Sequence, residues 1–395
     1  MLSTDEVFTR WVDKIYPRKK DLQKALAQRK LTVYHGVDPT GSDLHLGHSV
    51  PLLLLKNLQA MGHKIIFLIG DATATVGDPS ERTAARKRLT RNQVKKNAQT
   101  YKKQAGKIIN FSGKNSAKLD YNSRWWGKMR FLDGLALAYQ FTLQQMIERD
   151  MFQVRLKRRN PISLPELFYP VLQGYDSVAM DVDAEVGGTD QTFNMLAGRA
   201  LMKKLKGKEK FVLATKLLVN PKTQEKFSKS SGNYIPLTVG ANDMYGKVMA
   251  LPDEMVIITF KLCTEVPLAR INKLEKEFKS NPLKVKKLLA YDITSMYHGK
   301  DDARKAQKEF EKVFQKKGLP TPTVRKVTYT ADAVIALTVD VALVKTGLAK
   351  SMSDARRLID QGAVKVNGEK ILGAKTTVAK DDVLSVGKRK AVKIA

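Results

Sequence analysis

The first seventy residues alternate short apolar runs with a segment in which apolar residues recur at helical spacing. Residues 31–37, Leu-Thr-Val-Tyr-His-Gly-Val, and residues 64–70, Lys-Ile-Ile-Phe-Leu-Ile-Gly, are runs typical of buried strands. Between them, residues 47–61 are predicted to form a helix. Pro51 falls in its first turn, where a missing N–H is tolerated, and Gly62 follows its end.

This strand–helix–strand order predicts a parallel sheet, because the helix returns the chain to the end of the sheet from which it started. Ligands bind such sheets beyond the carboxyl ends of the strands. Asp38 begins a turn (residues 38–42) after the first predicted strand, and Gly70-Asp71 closes the second. We therefore expect an α/β fold with a Rossmann-like parallel sheet and a site at these strand ends.

The rest of the chain divides into further segments. Helical spacing at 141–159 is followed by a helix predicted to begin near Pro165, and a strand-like segment at 184–186 leads into Gly187-Gly-Thr-Asp-Gln191. A lysine-rich helical pattern then extends from 243 to 317. The predicted organisation is a Rossmann-like domain over 1–220 with an inserted connective segment at about 81–185, an α-helical domain over 221–317, a linker over 318–337, and a small α+β domain over 338–395.

Composition narrows the possible functions. The 395 residues include 70 Lys and Arg against 39 Asp and Glu, a formal net charge of +31. This excess favours a polyanionic partner such as nucleic acid, with adaptation to an unusual cell interior as the alternative. Residues 81–130 concentrate the charge, with 15 basic and two acidic residues.

Cysteine content and apolar patterning exclude other classes. Cys263 is the single cysteine, so a disulfide framework and a Cys-based zinc site are excluded. Acidic residues near the N-terminus argue against a targeting peptide, and the apolar runs are too short to span a membrane. We expect a cytoplasmic protein without a membrane segment.

Two histidines stand where the first predicted helix begins, in the segment His45-Leu-Gly-His48. Three residues apart, they share one side of the helix start, where N–H groups and the helix dipole favour an anion. Imidazole N–H groups can donate to phosphate oxygens, and Gly47 lets a nucleotide approach the backbone closely. Two surface histidines at a helix cap are the alternative, which the preceding strand and turn disfavour.

A second candidate phosphate-binding segment lies nearly 180 residues later, at Lys226-Phe-Ser-Lys-Ser230. Its lysines and hydroxyls suit a loop that closes over a pyrophosphate group. In so basic a chain, the segment alone predicts only an ordinary surface loop. Together with the histidine pair, it predicts a site that binds a nucleoside triphosphate and cleaves it at the α-phosphate.

A third group lies on the helix predicted near Pro165. Tyr169, Gln173 and Asp176 are spaced i, i+4 and i+7, so they share one helical face. Three polar residues usually form a solvated stripe, but these lie within an aromatic and apolar run, and we interpret them as the wall of a pocket. Gly77-Asp78-Pro79 offers another carboxylate, with an ordinary turn as the alternative.

Together these segments resemble a known family. They are Tyr34-His-Gly-Val-Asp-Pro-Thr-Gly41, His45-Leu-Gly-His48, Gly77-Asp-Pro79, Tyr169-Pro-Val-Leu-Gln-Gly-Tyr-Asp176, Gly187-Gly-Thr-Asp-Gln191 and Lys226-Phe-Ser-Lys-Ser230. In this order they resemble the tyrosyl–tRNA synthetases of bacterial type, which are class I aminoacyl–tRNA synthetases. The resemblance covers essentially the whole chain.

The last domain resembles an S4-type RNA-binding domain through residues 345–368. Ser353 is predicted to cap a helix that presents Arg356 and Arg357, and residues 364–368 predict a strand entering a hairpin turn. The expected fold class is therefore a Rossmann-like catalytic domain, an α-helical domain and a small α+β S4-like RNA-binding domain.

The resemblance implies a role for each matching residue. Tyr34 and Asp176 would bind the phenol hydroxyl of tyrosine, and Asp78, Tyr169 and Gln173 its ammonium group. The ATP and adenylate positions are Gly36, Asp38, Gly47, Gly188, Asp190, Gln191 and Ser230. The catalytic positions are Thr40, His45, His48, Lys226, Lys229, Arg82 and Arg86. The tRNA-binding positions are Lys350, Arg356, Arg357 and Lys365.

The implied reaction has two steps. The carboxylate of L-tyrosine attacks the α-phosphorus of ATP, pyrophosphate leaves with Mg²⁺ on its oxygens, and the tyrosyl group passes to the 3′-terminal ribose of tRNA(Tyr). No metal held by the protein alone is expected. The resemblance also implies a homodimer through helices near 130–165.

Two other functions remain possible from the sequence. A tryptophanyl–tRNA synthetase is disfavoured by Tyr34 and Asp176, because an indole has no hydroxyl. A non-catalytic RNA-binding protein on a synthetase scaffold is disfavoured by the intact histidines and by Lys226 and Lys229.

Overall fold

The computed structural model describes residues 3–80, 89–227, 234–315, 323–325, 337–371, 373–387 and 390–394. The chain divides into two compact units, residues 1–299 and 300–395. In the described part of the chain, none of the helices has the length and apolar character needed to cross a membrane.

Within the described residues, the larger unit is built on a six-stranded sheet. Its strands are β1 (Val12–Tyr16), β2 (Thr32–Val37), β3 (Lys64–Ile69), β4 (Lys118–Tyr121), β5 (Ala184–Gly188) and β6 (Phe211–Thr215). They lie in the order β1-β6-β5-β2-β3-β4, with β1 antiparallel to β6 and the other neighbours parallel. The predicted parallel sheet is confirmed, and β2 and β3 begin and end within one residue of the prediction.

Helices surround this sheet. They are α1 (Thr4–Trp11), α2 (Lys19–Gln28), α3 (Ser49–Ala60), α4 (Thr73–Val76), α5 (Arg91–Ala98), α6 (Tyr101–Ala105), α7 (Ser123–Trp126), α8 (Phe131–Ala138), α9 (Leu143–Ile147), α10 (Asp150–Lys157), α11 (Leu164–Met180), α12 (Thr192–Lys206), α13 (Ala241–Met249), α14 (Asp253–Cys263), α15 (Leu268–Ser280) and α16 (Pro282–His298). A 3₁₀ turn precedes α3 at Leu46–His48, and another precedes α12 at Thr189–Gln191.

Helix α3 is apolar around most of its circumference because it packs against β3 and β5 on one side and α1 and α14 on the other. Arg10 of α1 joins these parts further, donating to the backbone oxygens of Phe260 at 2.9 Å and Thr264 at 2.6 Å. The predicted helical domain therefore shares one compact unit with the sheet up to residue 299.

The order of the strands determines where a ligand can enter. From β2 the chain continues to β3 and β4 on one side of the sheet, whereas β5 and β6 lie on the other side of β2. The strand order thus reverses between β2 and β5, and at such a point the connections diverge to leave a crevice at the carboxyl ends.

The smaller unit contains α17 (Lys300–Phe310), a π-helical turn at Glu311–Gln315, β7 (Thr323–Arg325), β8 (Leu337–Thr338), α18 (Val339–Lys345), α19 (Met352–Asp360), β9 (Val364–Val366), β10 (Glu369–Lys370), β11 (Thr377–Val378), β12 (Val383–Val386) and β13 (Lys390–Ile394). Its larger sheet has the order β10-β9-β12-β13-β7. Apolar residues of α18, α19 and the strands form its core, including Leu343, Ile359 and Leu384.

The predictions for this unit had mixed outcomes. The hairpin after β9 is confirmed, with Asn367 and Gly368 at φ of 48° and 95° in its turn. The predicted cap Ser353 is wrong by two residues. Ser351 caps α19, because its extended backbone lets its Oγ accept from the backbone N–H of Asp354 at 3.2 Å. Most of the predicted linker lies outside the described residues, and its described part includes β7, which pairs with β13.

Candidate active site

A cavity of about 340 Å³ opens at the carboxyl ends of β2 and β5. Its wall contains every described residue predicted for tyrosine, ATP and catalysis: Tyr34, Gly36, Asp38, Thr40, His45, Gly47, His48, Asp78, Tyr169, Gln173, Asp176, Gly188, Asp190, Gln191 and Lys226. The predicted residues Arg82, Arg86, Lys229 and Ser230 lie outside the described residues.

The turn after β2 places Thr40 at this cavity. Asn97 donates to the backbone oxygen of Pro39 at 2.9 Å, and the Tyr101 hydroxyl donates to that of Gly41 at 2.6 Å. Because α5 and α6 hold the turn at these two points, the Thr40 backbone is fixed between them.

The two histidines are oriented by backbone hydrogen bonds. The Gly47 N–H donates to His45 Nδ1 at 3.2 Å, and the His45 N–H donates to His48 Nδ1 at 3.1 Å. Because each Nδ1 accepts a hydrogen bond, each neutral ring carries its proton on Nε2. The ring centroids lie 3.9 Å apart, so the pair presents two neighbouring N–H donors.

The histidine turn meets the Lys226 segment. A Cβ on Gly47 would lie 3.4 Å from the backbone oxygen of Phe227. The Leu46 N–H donates to the Ile235 oxygen, and the Leu237 N–H donates to the Leu44 oxygen, each at 2.9 Å. The described residues on both sides of 228–233 therefore lie against the histidine turn, as the sequence predicts.

Lys226 also connects to the segment after β5. Its Nζ lies 3.0 Å from Asp190 Oδ2. Gly188 makes room for this arrangement, because a Cβ at that position would lie 2.3 Å from Asp190 Oδ1. The Lys226 segment and the Gly187–Gln191 segment thus form adjoining walls of one cavity.

Asp176 lies at the inner end of the cavity and is 3% exposed. Its carboxylate accepts hydrogen bonds from Trp125 Nε1 at 2.8 Å, Trp126 Nε1 at 3.0 Å and Asn122 Nδ2 at 3.2 Å. Burial raises the pKa of Asp176 to about 8, although these three donors favour the charged form. The neutral form of this carboxyl group is therefore favoured far more than in an exposed aspartate.

Tyr34 lies beside Asp176 and is also buried, with its hydroxyl 3.0 Å from Ser177 Oγ. Burial, with the negative charges of Glu185 and Asp176 nearby, raises the pKa of the Tyr34 hydroxyl well above its usual value. The inner end of the cavity thus combines a protonated phenol with a carboxyl group, which suits a ligand that carries a hydroxyl.

Tyr169, on the same face of α11, points toward the turn after β2. Its hydroxyl donates to Asp38 Oδ2 at 2.9 Å, and Thr73 Oγ1 donates to Asp38 Oδ1 at 2.7 Å. Burial raises the pKa of Tyr169 well above its usual value, so its hydroxyl is a donor to the carboxylate.

Asp78 lies on the turn that follows α4. Its Oδ1 accepts from Ser80 Oγ at 2.7 Å, and its Oδ2 accepts from Gln191 Nε2 at 2.6 Å. Arg149 supports Ser80 with a hydrogen bond of 2.6 Å to its Oγ. Asn194 Nδ2 donates to Gln173 Oε1 and to Gln191 Oε1, each at 3.0 Å, so it links Gln173 to the residue that holds Asp78.

The structure also brings in residues to which the sequence assigned no role. They are Asn122, Trp125, Trp126, Arg149, Ser177, Glu185, Asn194 and Lys210. Ser177 follows Gln173 by four residues, so helical spacing could have placed it on the same face. Nothing in the sequence separates Lys210 from the many surface lysines of this chain.

The predicted tRNA-binding residues lie in the smaller unit. Lys350 and Lys365 are exposed, Arg356 lies 3.5 Å from Asp340, and Arg357 lies 2.5 Å from Asp354. All four side chains are therefore accessible on the surface of this unit.

Comparison with known proteins identifies the family. Residues 26–315 match the family described as "tRNA synthetases class I (W and Y)", and residues 338–384 match the S4 domain. A tyrosine–tRNA ligase of Thermotoga maritima is 41% identical over 379 residues, covering 95% of this chain and 92% of the relative. One of Mannheimia succiniciproducens is 40% identical over 388 residues, covering 98% and 96%.

A solved structure supports the fold. The C-terminally truncated mitochondrial tyrosyl-tRNA synthetase of Aspergillus nidulans has a TM-score of 0.67 at 24% identity, covering 78% of this chain and 93% of that chain. The tryptophanyl alternative is not favoured, because the close relatives compared above are tyrosine–tRNA ligases. The chain therefore belongs to the tyrosine–tRNA ligase family of class I tRNA synthetases, and it carries an S4 domain.

Proposed function

We propose that the cavity joins L-tyrosine to ATP as tyrosyl-adenylate, releases pyrophosphate, and then transfers the tyrosyl group to the 3′-terminal ribose of tRNA(Tyr). One observation carries this proposal. The histidine turn and Lys226 adjoin a single cavity whose inner end holds Tyr34 and Asp176. We further propose that the protein acts in the cytoplasm, as expected for this family.

The phenol hydroxyl of the substrate binds between Tyr34 and Asp176. Both side chains are buried, so an amino acid without the hydroxyl would leave each of them short of the hydrogen bond that the phenol supplies, with no water to replace it. An unpaired buried polar group is costly, and this cost excludes phenylalanine.

The ammonium group of tyrosine binds at Asp78, Tyr169 and Gln173. The carboxylate of Asp78 is held from two sides by Ser80 and Gln191, so it faces the cavity with little rotational freedom. A charge fixed at Asp78 determines the orientation in which the amino acid binds in the cavity.

ATP binds across the carboxyl ends of β2 and β5. The adenosine lies against Gly36, Asp38, Gly47, Gly188, Asp190 and Gln191, and the triphosphate lies against Thr40, His45, His48 and Lys226. Lys229, Ser230, Arg82 and Arg86 complete the set of donors in this proposal.

The tyrosine carboxylate is already an anion, so the first step needs no general base. It needs the two reactants in line and donors placed where charge grows on the phosphate oxygens. The paired Nε2–H groups of His45 and His48 and the ammonium of Lys226 have the chemistry for this role.

Mg²⁺ enters this proposal only as the companion of the ATP phosphates. The described residues include no group of three or more His, Cys, Asp or Glu suited to hold a metal ion. The cavity carboxylates Asp38, Asp78 and Asp190 already accept hydrogen bonds or pair with Lys226. These described carboxylates are therefore engaged with protein partners, and no step above depends on a metal ion that they hold.

A second copy of the chain is the proposed partner of an exposed apolar surface on α8, α9 and α11. Phe131 is 79% exposed and Tyr139 is 87% exposed, and Leu132, Leu143 and Leu164 are exposed nearby in the sequence. Apolar patches of this kind mark interaction sites. Their place in residues 130–165 supports the homodimer that the family implies.

The smaller unit, with its S4 domain, is the proposed tRNA-binding part. From residue 340 onward the sequence has 12 basic and six acidic residues. Lys350, Arg356, Arg357 and Lys365 are exposed and suit contacts to phosphates. The helices within 221–317 are proposed as a second region that faces the tRNA.

Pyrophosphate exchange with ATP, screened across the twenty amino acids, tests the proposed reaction. We expect exchange with tyrosine alone. The variant Asp176→Ala should raise the KM for tyrosine far more than that for ATP, because the carboxyl group lies at the phenol end of the cavity. Exchange with tryptophan alone, or RNA binding with no exchange at all, would contradict the proposal.

A further inference from the structure

A buried ion pair lies behind the tyrosine-binding residues, and the reaction proposed above does not use it. Lys210, immediately before β6, and Glu185, in β5, have side chains that are 0% and 2% exposed. Lys210 Nζ donates to Glu185 Oε2 and, at 2.8 Å, to Ser177 Oγ. Burial lowers the pKa of Lys210, and Glu185 opposes that effect.

The helices leave room for this ammonium group. A Cβ on Gly198 of α12 would lie 2.6 Å from Lys210 Nζ and 2.9 Å from Ser177 Oγ. Gly174 of α11 faces Gly198, and a Cβ there would lie 3.0 Å from the Gly198 nitrogen. Two helices thus approach each other through glycines at the point where the lysine reaches Ser177.

From Ser177 the network continues to Tyr34. A lysine only donates hydrogen bonds, so Ser177 Oγ is the acceptor in its contact with Lys210. The proton of Ser177 then points to the Tyr34 oxygen at 3.0 Å or to Glu185 Oε2 at 3.5 Å, and the shorter distance favours Tyr34. Glu185 also raises the pKa of the Tyr34 hydroxyl, so Tyr34 keeps its own proton, which this inference directs to the oxygen of the substrate phenol.

From Glu185 the network continues to Gln173. Glu185 Oε1 accepts a hydrogen bond of 3.0 Å from Gln173 Nε2. An ionised carboxylate only accepts, so this bond determines which way the Gln173 amide points and directs its oxygen away from Glu185. That oxygen accepts from Asn194 at 3.0 Å.

We propose that Lys210 and Glu185 are positioning residues for tyrosine recognition, setting the proton direction of Tyr34 through Ser177 and the amide orientation of Gln173 directly. The proposal rests on the roles given above to Tyr34 and Gln173. It extends the recognition of the substrate to a buried pair behind Tyr34 and Gln173, of which Glu185 borders the cavity and Lys210 does not.

The test compares tyrosine with phenylalanine in pyrophosphate exchange by the full chain. Ser177→Ala removes the connection to Tyr34 and keeps the ion pair, whereas Lys210→Met removes the ammonium. Tyr34→Phe gives the reference loss. Lys208→Met is the matched control, because Lys208 lies two residues away in the same segment and pairs outward with Asp181 and Asp183.

Losing one hydrogen bond to the phenol should reduce the tyrosine-to-phenylalanine ratio of kcat/KM about tenfold. We expect this reduction in Ser177→Ala and Lys210→Met, with a higher KM for tyrosine and an unchanged KM for ATP. The Ser177→Ala/Lys210→Met double variant should lose no more than the larger single loss, because Ser177 lies on the path by which Lys210 acts on Tyr34. The Lys208→Met control should retain the wild-type ratio.

The outcomes separate this inference from the proposed function. Loss of discrimination in Tyr34→Phe with none in Ser177→Ala overturns the inference and leaves the phenol site in place. Additive losses in the double variant also overturn it. If wild-type exchange does not depend on tyrosine, the proposed function is wrong. If Tyr34→Phe discriminates between the two amino acids as the wild type does, the role given to Tyr34 is wrong. If Lys210→Met does not fold, Ser177→Ala decides, since it leaves the ion pair intact.

Discussion

At the scale of single residues, Asp176 is subject to two opposing influences. Burial favours its neutral form, whereas three N–H donors from Asn122, Trp125 and Trp126 favour the anion. Burial has the larger effect, which places the pKa at about 8. A bound substrate hydroxyl would therefore meet a group that can change its proton content near physiological pH.

The raised pKa predicts how stability depends on pH. Because the folded-state pKa of about 8 exceeds the ordinary value of 3.8, the folded chain holds a proton that the unfolded chain releases between these values. This stabilisation is complete at pH below 3.8 and is lost as the pH rises toward 8. Relative to Asp176→Asn, the wild type should lose up to about 1.4 kcal/mol per pH unit in this range.

Urea unfolding without tyrosine, followed by tryptophan fluorescence, measures this difference, since Trp125 and Trp126 contact Asp176. Both proteins should be compared at several pH values between 5 and 8. A constant difference between wild type and Asp176→Asn across that range would contradict the raised pKa.

Single residues also show what the sequence can and cannot predict. Tyr169, Gln173 and Asp176 were found from helical spacing, because one helix fixes their relative positions. Trp125 and Trp126 were not, since they lie some fifty residues before Asp176 and reach it only because β4 joins the sheet beside β3. Contacts set by the packing of distant segments leave no local pattern.

At the scale of elements, the packing of α11 on α12 positions the recognition residues. The helices meet at Gly174 and Gly198, where an added Cβ at Gly174 would lie 3.0 Å from a backbone nitrogen and 3.2 Å from a backbone carbon. Backbone atoms cannot rotate away as a side chain can, so α11 itself must shift if this position is enlarged.

Gly174→Ala should therefore lower stability by about 1–3 kcal/mol, in the range of overpacked cores. It should also raise the KM for tyrosine more than that for ATP, because α11 carries Tyr169, Gln173 and Asp176. Thermal unfolding and steady-state pyrophosphate exchange measure the two effects.

Gly246→Ala is a matched control. Gly246 lies in α13, is buried, and an added Cβ would meet no atom within 4 Å. This change should leave both KM values unchanged and stabilise the helix by up to about 1 kcal/mol. Equal effects of the two substitutions on the KM for tyrosine would contradict the role given to the α11–α12 contact.

Predicted elements were most accurate where local chemistry determines them. The strands β2 and β3 and the start of α11 were predicted within a residue or so, because apolar runs and Pro165 mark them. The cap of α19 was misplaced because Ser351 and Ser353 are both suitable, and only the backbone conformation selects Ser351. The parallel order of β5 and β6 depends on long-range pairing that periodicity does not encode.

At the scale of the whole molecule, the two compact units predict a separation of the two reaction steps. A chain ending at residue 299 keeps the cavity, whereas a cut at 338 would leave β7 without its partner β13. We expect the 1–299 chain to retain tyrosine-dependent pyrophosphate exchange and to lose most tRNA charging. Exchange is measured with ATP and pyrophosphate, and charging with tRNA(Tyr).

Circular dichroism of the shortened chain serves as the control for folding. Full tRNA charging by the folded 1–299 chain would contradict the role proposed for the smaller unit. Loss of exchange in a folded chain would show that the smaller unit contributes to activation as well.

The three N–H donors around Asp176 limit how the inner end of the cavity could be redesigned for another amino acid. Replacing Asp176 by an apolar side chain, to admit a bulkier or non-hydroxylated ring, would leave two indole N–H groups and one N–H of Asn122 without their acceptor. Asn122 also accepts from the Ala72 N–H and donates to Thr73, which in turn donates to Asp38. An engineer who alters the specificity at this end must therefore supply a substitute acceptor, or the disturbance will reach the nucleotide side of the pocket.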